Sequence, residues 1–203
     1  MERIVSINQK TISKREYQLS MRYWEWTNEA MEKKIDRGTI EKLAQQSMIQ
    51  TVVLEQKAAQ MGLAEFTKEE QKTIRARAEY FWNQTVNHYK NQILKEKKAF
   101  SELEAFQKAE RFLRANGYSI RQLVENSRME IVYDRMMRTY QKKVEISREE
   151  ISEEMRRCVE EGAVLNIEWM EKVKGNLRAK RAKEMLACDL RRWISQSEIK
   201  KEA

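Results

Sequence analysis

The chain has 203 residues, of which 41% are hydrophobic and 35% are charged, with five glycines and no proline. Because proline breaks helices and sheet proteins need many tight turns, this composition favours a mainly α-helical protein. The formal net charge of +8 suits anionic partners such as nucleic acid, an acidic membrane or acidic polypeptides. The positive residues do not form one long basic block, so we interpret them mainly as a solvated surface.

The first residues predict a hairpin followed by a helix. Arg3 to Ile12 alternate apolar and polar side chains around Asn8-Gln9-Lys10, which predicts a short strand or hairpin. Ser13-Lys-Arg-Glu16 has the capping-box pattern and predicts a helix to about Ile35. We expect one stripe of this helix to face the core and the other to face a groove or partner. The two stripes are Tyr17, Met21, Trp24, Met31 and Ile35, and Leu19, Tyr23, Trp26 and Ala30.

The segment from Ile40 to Met61 predicts the central helix of the fold. Its middle, MIQTVVL, is apolar on most sides, so we expect central burial rather than a surface position. Thr39 is the predicted cap at its start. Gly62 is the predicted stop, since glycine readily adopts the left-handed conformation after a helix. The periodic apolar positions are Ile40, Leu43, Ala44, Met48, Val52, Ala58 and Met61.

Four further capping signals, at Thr67, Ser101, Ser119 and Ser147, predict four more helices. The first runs to about Lys98, and the segment AVLNIEWM after Gly162 predicts an extended piece or a helix start. A last amphipathic helix is predicted from about Val173 to Ile194, with the tail SEIKKEA as an edge strand. The predicted core stripe of the helix after Thr67 is Ile74, Ala78, Phe81, Thr85, Tyr89 and Ile93.

No group of residues in the sequence predicts an enzyme. His88 is the one histidine, and no nucleophile or carboxylate is singled out as its partner, so we expect a helical surface or partly buried residue. Paired glutamates are interpreted as helix N-terminal charges and solvated faces. Cys158 and Cys188 form no CxxC pair and are expected to be free thiols, although a disulfide between them stays open. We expect no catalytic residues, metal or cofactor.

Five segments resemble, in order, the chaperone module of the SurA and PrsA foldases, which is related to the chaperone domain of trigger factor. They include IVSINQKTISKREYQ, IQTVVLEQKAAQMGL and VEISREEISEEM. Two longer segments are FLRANGYSIRQLVENSRMEIVYDRMM and NLRAKRAKEMLACDLRRWISQSEIK. Two positions depart from the family pattern: Gln9 stands where glycine is usual, and Met155 stands where Tyr or Phe is usual.

The resemblance implies a single SurA-like module over residues 1–203, mainly α-helical. It divides into an N-terminal lobe at 1–155, a short connection at 156–175, and a returning helix and strand at 176–203. The connection is too short for the parvulin-type prolyl isomerase domain found there in the family, which implies a bacterial chaperone without isomerase activity. We expect the returning helix to pack on the N-terminal lobe and the terminal strand to pair with Ile4 to Ile7. The resemblance implies an extracytoplasmic location with the export signal absent from this chain, and a cytoplasmic location stays open.

The expected function is ATP-independent binding of apolar segments of unfolded or exported proteins. Exposed aromatic and methionine side chains would contact such clients. The predicted contact residues are Tyr23, Trp26, Tyr80, Trp82 and Met137.

The sequence leaves two alternative functions open. One is a structural or regulatory protein with a single dedicated partner. The other is a basic nucleic-acid-binding protein, for which the best cluster lies at residues 172–183, although we interpret that cluster mainly as a solvated helix and expect no nucleic acid. A homodimer also stays open.

Overall fold

A computed structural model describes residues 3–30, 35–96, 100–161 and 167–201. Seven helices and three short strands make up this described part, so the predicted mainly α-helical class is confirmed. The strands are β1 (Arg3–Ile7), β2 (Lys10–Ser13) and β3 (Ile199–Lys201). The helices are α1 (Lys14–Ala30), α2 (Arg37–Gln60), α3 (Lys68–Glu96), α4 (Glu102–Ala115), α5 (Ile120–Gln141), α6 (Arg148–Glu160) and α7 (Ile167–Gln196).

The chain forms two compact units. The first combines Met1–Ile131 with Ser197–Ala203, and the second is Val132–Gln196. The first unit therefore holds all three strands, α1 to α4 and the start of α5. The boundary falls inside α5, whereas the sequence placed the end of an N-terminal lobe at residue 155. The predicted connection at 156–175 is largely helical, since α6 continues to Glu160 and α7 begins at Ile167.

The two ends of the chain meet in one antiparallel sheet of order β2-β1-β3. Strands β1 and β2 form the predicted hairpin, with Ile7 opposite Lys10. Asn8 and Gln9 both have positive φ, 46° and 73°, as a two-residue type I′ turn requires. On the other side of β1, Ile7 lies opposite Ile199. The predicted pairing of the C-terminal strand with the N-terminal strand is thus confirmed.

Asn8 ties this sheet to its surroundings. Its side-chain oxygen accepts a hydrogen bond from the Glu198 N–H (2.9 Å), and its own backbone N–H donates to the Glu198 carbonyl oxygen (3.0 Å). Its amide nitrogen donates to Gln56 on α2 (2.9 Å) and to Ser197 (3.0 Å). One turn residue therefore fixes the hairpin, the central helix and the returning strand together.

Helix α2 is central, as its sequence predicted, because Val52, Val53 and Leu54 are all buried and therefore occupy more than one face. Its N-cap is Asp36 rather than Thr39, since the Asp36 carboxylate accepts a hydrogen bond from the Thr39 N–H (3.0 Å). This bonding lowers the pKa of Asp36. Gly62 ends the helix at φ 68°, as predicted.

The apolar stripe of α2 ends sooner than its periodicity predicted. The last periodic residue, Met61, is the C-cap and is 39% exposed. Its position at the end of the helix explains the difference, because the chain turns there at Gly62.

The buried stripe of α3 follows a strict four-residue spacing, through Ile74, Ala78, Trp82 and Val86. The prediction that Phe81 lies on the core stripe is wrong, since Phe81 is 43% exposed. A spacing of three or four residues is equally helical, so the sequence pattern did not decide between positions 81 and 82. The predicted end of this helix at Lys98 lies outside the described residues.

The capping signals mark helix starts as predicted. Reciprocal bonds between the capping residue and the glutamate three residues later occur at Ser13, Thr67, Ser101 and Ser147. The hydroxyl of Ser119 accepts a hydrogen bond from the Gln122 N–H (3.2 Å). At Ser101, these hydrogen bonds lower the pKa of Glu104.

In the second unit, α7 carries its own polar contacts to α5 and α6. The hydroxyl of Tyr140 donates to the carboxylate of Asp189, which also binds Arg192 (2.7 Å). Burial and this carboxylate raise the pKa of Tyr140. Arg181 bonds the Glu145 carbonyl oxygen (3.1 Å) and the Glu150 carboxylate. The free thiols of Cys158 and Cys188 lie on α6 and α7.

Candidate functional site

A cleft of about 1,010 Å³ opens on the first unit, and we name it the arginine cleft. Its walls come from β2, the first turns of α1, the end of α4 and the start of α5. Its charged side chains are exposed, so the cleft is open to solvent. Its lining residues are Thr11, Ser13, Arg15, Glu16, Leu19, Arg114, Gly117, Ser119, Arg121, Gln122 and Glu125.

Two local motifs bring these walls together. The capping box at Ser13 starts α1 directly after β2, so strand and helix meet at one corner. The end of α4 turns at Gly117, whose φ is 80°. There the Tyr118 N–H donates to the Leu113 carbonyl oxygen (2.9 Å), which is the glycine-dependent helix ending known as a Schellman motif.

Helix α1 then packs closely on that turn. A Cβ added at Gly117 would lie 2.7 Å from the backbone oxygen of Leu19, so only glycine permits this approach. Arg22 donates a hydrogen bond to the Ala115 carbonyl oxygen (3.0 Å), which satisfies a group at the end of α4. The floor of the cleft is therefore backbone of α1 against the α4–α5 link.

The charges of the cleft are unequally paired. Glu16 accepts hydrogen bonds from the N–H and hydroxyl of Ser13 (both 2.8 Å), and Glu125 lies 3.8 Å from the Arg128 guanidinium. Arg114 lies 3.6 Å from Glu110. By contrast, Arg15 and Arg121 form no ion pair with any residue that the structure describes. Within the described part of the chain, the lining thus holds three arginines and two glutamates, and two of the arginines have no ion-pair partner.

Behind the cleft lies an aromatic cluster that joins α1, α3, α4 and the α4–α5 link. Trp26 is central, with ring centroids 6.2 Å from Tyr23, 6.1 Å from Tyr89 and 5.8 Å from Tyr118. Its indole N–H donates to the Tyr89 hydroxyl (3.1 Å). Trp82 stacks on Tyr118 at 6.1 Å, and the Arg114 guanidinium lies 5.1 Å from the Trp82 ring.

The structure separates the five predicted client-contact residues. It brings Tyr23, Trp26 and Trp82 into the aromatic cluster. It places Tyr80 on the surface of the first unit, 60% exposed, and Met137, half-buried, in the second unit. Three of the five therefore share one neighbourhood, and only Tyr80 is largely open to a partner.

The prediction that Trp82 points away from the core is wrong, because its side chain is only 3% exposed. Trp26 and Tyr23 are partly buried by packing rather than free for a client. The physical reason is that α1 is covered on two sides. Its Met21 stripe packs against Ile40 and Ala44 of α2, while Trp26 packs against α3 and α4. The stripe residue Met31 lies outside the described residues.

The sequence missed the arginines of the cleft. Arg15 and Arg121 each stand two residues after a capping serine, and this shared position was a readable signal. It did not reveal that the two helix starts converge, because that requires the tertiary packing of α1 on the α4–α5 link.

Other sequence-level candidates supply no comparable site. His88 is exposed and lies 3.1 Å from the Gln92 amide nitrogen on its own helix. In the basic cluster of α7, Arg181 is held by the second unit's own acceptors. Among the described residues, no group of His, Cys, Asp and Glu could hold a metal ion, and no helix is long and apolar enough to cross a bilayer.

No family model, curated protein or solved structure matches the chain.

Proposed function

We propose that this protein is an ATP-independent chaperone, a holdase that binds segments of unfolded polypeptides and has no prolyl isomerase activity. The observation that carries the proposal is the arginine cleft. Its volume of about 1,010 Å³ is large enough to hold several side chains of a polypeptide segment. Its lining offers charge, hydroxyl and aliphatic groups together.

Binding in such a cleft would be reversible and non-covalent. Leu19 and the aliphatic stems of the arginines give apolar surface inside the cleft, since arginine buries its stem while its charge stays in water. Each Å² of client apolar surface removed from water contributes about 25 cal/mol. Tyr80 and Phe81, whose rings lie 5.7 Å apart on the surface of α3, extend the apolar area available on the first unit.

The pairing of both chain ends in one sheet supports the same proposal. The resemblance to the SurA and PrsA module implied a returning strand beside the first strand, and β3 lies beside β1. The sheet thus supplies an ordered surface beside the cleft, since Thr11 and Ser13 of β2 line it, which suits a preformed binding site rather than one that folds on binding.

Light scattering of a chemically denatured client diluted into buffer, with no nucleotide added, tests the proposal. We expect this protein to suppress aggregation near one-to-one stoichiometry with several unrelated clients. A folded basic protein of similar size serves as the control for non-specific charge effects. Undiminished aggregation of every client at several-fold excess would contradict the proposal.

A dedicated partner protein is the second candidate. It is favoured by Arg15 and Arg121, which have no ion pair among the described residues and give the cleft a defined charge pattern. Capture of one stoichiometric complex, together with failure to suppress the aggregation of unrelated clients, would support it over the holdase.

A further inference from the structure

The arginine cleft contains the open edge of the sheet. In the order β2-β1-β3, β2 has a neighbouring strand on one side only among the described residues. Ile7 and Lys10 close the two-residue turn as a hydrogen-bonded pair, so hydrogen bonding alternates and the next residue, Thr11, directs its N–H and C=O away from β1. Thr11 also lines the cleft. An extended polypeptide could therefore add to this edge as a further strand, a recurring mode of peptide recognition.

The positive charge of the cleft favours acidic side chains on such a segment. Glu16, held by Ser13, and Glu125, which lies 3.8 Å from Arg128, keep their negative charges, so the lining has three arginines against two glutamates. Arg15 and Arg121 have no ion pair among the described residues. The formal net charge of +8 adds a general attraction for acidic partners. Carboxylates are the natural complement, because a guanidinium can donate two parallel hydrogen bonds to them.

The lining also argues against a nucleic acid as the occupant. Single strands are held by aromatic side chains on which the bases stack, and none of the described residues that line the cleft is aromatic. Glu16 and Glu125 stand on the same walls, where they would repel a continuous row of phosphates but can be avoided by carboxylates on alternate residues of a strand.

We propose that the arginine cleft binds an extended polypeptide segment with acidic side chains, which pairs with the edge of β2 at Thr11 and places its carboxylates against Arg15 and Arg121. This inference rests on the proposed chaperone function and names the class of client segment that the cleft takes.

Fluorescence anisotropy with labelled synthetic peptides tests the inference. Three peptides share one apolar framework and carry Glu, Gln or Lys at alternate positions. The protein is compared with Arg15→Gln/Arg121→Gln and with a control double variant, Arg111→Gln/Arg191→Gln. The control removes the same charge at exposed arginines that do not line the cleft.

We expect the Glu peptide to bind about tenfold more tightly than the Lys peptide, as two exposed ion pairs can supply. We expect the cleft variant to lose most of that preference and the control variant to stay within about twofold of the wild type. Equal binding of the three peptides, or equal losses in the two double variants, would overturn the inference. A single-stranded oligonucleotide that displaces the Glu peptide in an Arg15- and Arg121-dependent manner and binds more tightly than it would also overturn it.

The two proposals fail separately. If no peptide binds while aggregation of denatured clients is still suppressed, the acidic-segment inference is wrong. The holdase proposal then still holds, and clients bind at another surface of the protein. If the Glu peptide binds as expected but no client is protected, the cleft recognises acidic segments and the holdase proposal is wrong.

Discussion

Replacing Gly117 by alanine should destabilise the first unit far more than the same replacement at Gly62. Both glycines end a helix at positive φ, 80° and 68°, where a side chain costs about 1–2 kcal/mol. At Gly117 the new Cβ would also lie 2.7 Å from the Leu19 backbone oxygen, whereas at Gly62 nothing lies within 4 Å. Relieving that overlap requires α1 to move and adds about 1–3 kcal/mol, typical of overpacking.

Urea unfolding followed by circular dichroism and tryptophan fluorescence measures both variants. We expect Gly62→Ala to lose about 1–2 kcal/mol and Gly117→Ala about 2–5 kcal/mol. Because Gly117 also lines the arginine cleft, its variant should bind client segments more weakly, while Gly62→Ala should bind as the wild type does. Equal losses of stability would refute the close packing of α1 on the α4–α5 link.

Three further changes test burial, turn geometry and capping. Trp82→Ala should cost about 3–5 kcal/mol, because the indole is 3% exposed, whereas Tyr80→Ala, at a 60% exposed ring, should change stability by less than about 1 kcal/mol in urea unfolding. Gln9→Gly should raise the free energy of unfolding by about 0.5–1 kcal/mol and so raise the urea midpoint. The reason is that φ at this position is 73°, a value that glycine adopts without strain. The hydrogen bonds of the Ser101 cap lower the pKa of Glu104 below its ordinary value of 4.5. The cap therefore stabilises the folded protein fully at pH values above 4.5, and this stabilisation is lost as the pH falls through the lowered pKa. The free energy of unfolding of Ser101→Ala should be lower than that of the wild type at neutral pH, and this difference should shrink in acid.

A specific result would contradict each of these three predictions. Similar losses for Trp82→Ala and Tyr80→Ala would show that the aromatic cluster is not a core. A glycine at position 9 that leaves the midpoint unchanged would mean that the turn carries no strain. A deficit for Ser101→Ala that is constant between neutral and acidic pH would mean that the Glu104 carboxylate takes no part in the cap.

The features predicted correctly are those that depend on near neighbours in the chain. Capping boxes, the left-handed glycine after α2 and the Asn8-Gln9 turn each satisfy backbone groups within a few residues, so their residue types determine the geometry. The start of α7 was placed six residues too late, at Val173 instead of Ile167. Its first residues, IEWM, allowed a strand or a helix, and the residues at 163–166 lie outside the described part.

The features predicted wrongly depend on which helix faces which. Two apolar stripes on α1 suggested one core face and one client face, but Met21 of one stripe packs on α2 and Trp26 of the other packs on α3 and α4. On α3, helical periodicity allows either Phe81 or Trp82 to lie on the buried face, because spacings of three and four residues from Ala78 are both helical. The sequence pattern alone therefore did not identify Trp82 as the buried residue. The sequence therefore found the aromatic residues that matter but assigned some of them to solvent.

The arginine cleft depends on contacts between residues far apart in the chain. Arg15 and Arg121 meet at one cleft because Leu19 packs against Gly117, a contact that no local pattern contains. Gly117 ends α4 through bonds to near neighbours, but its second role as the site of a close helix approach depends on Leu19, which is distant in the chain.

Hydrogen exchange measured by mass spectrometry, with and without an unfolded client, tests the central claim most directly. We predict that bound client slows exchange in the segment from Thr11 to Leu19 and in the segment from Gly117 to Glu125, with the amide of Thr11 among the most strongly protected. The surface of α6 should exchange at the same rate in both samples. Protection that spares both segments, or that appears only in the second unit, would contradict binding of polypeptide at the arginine cleft.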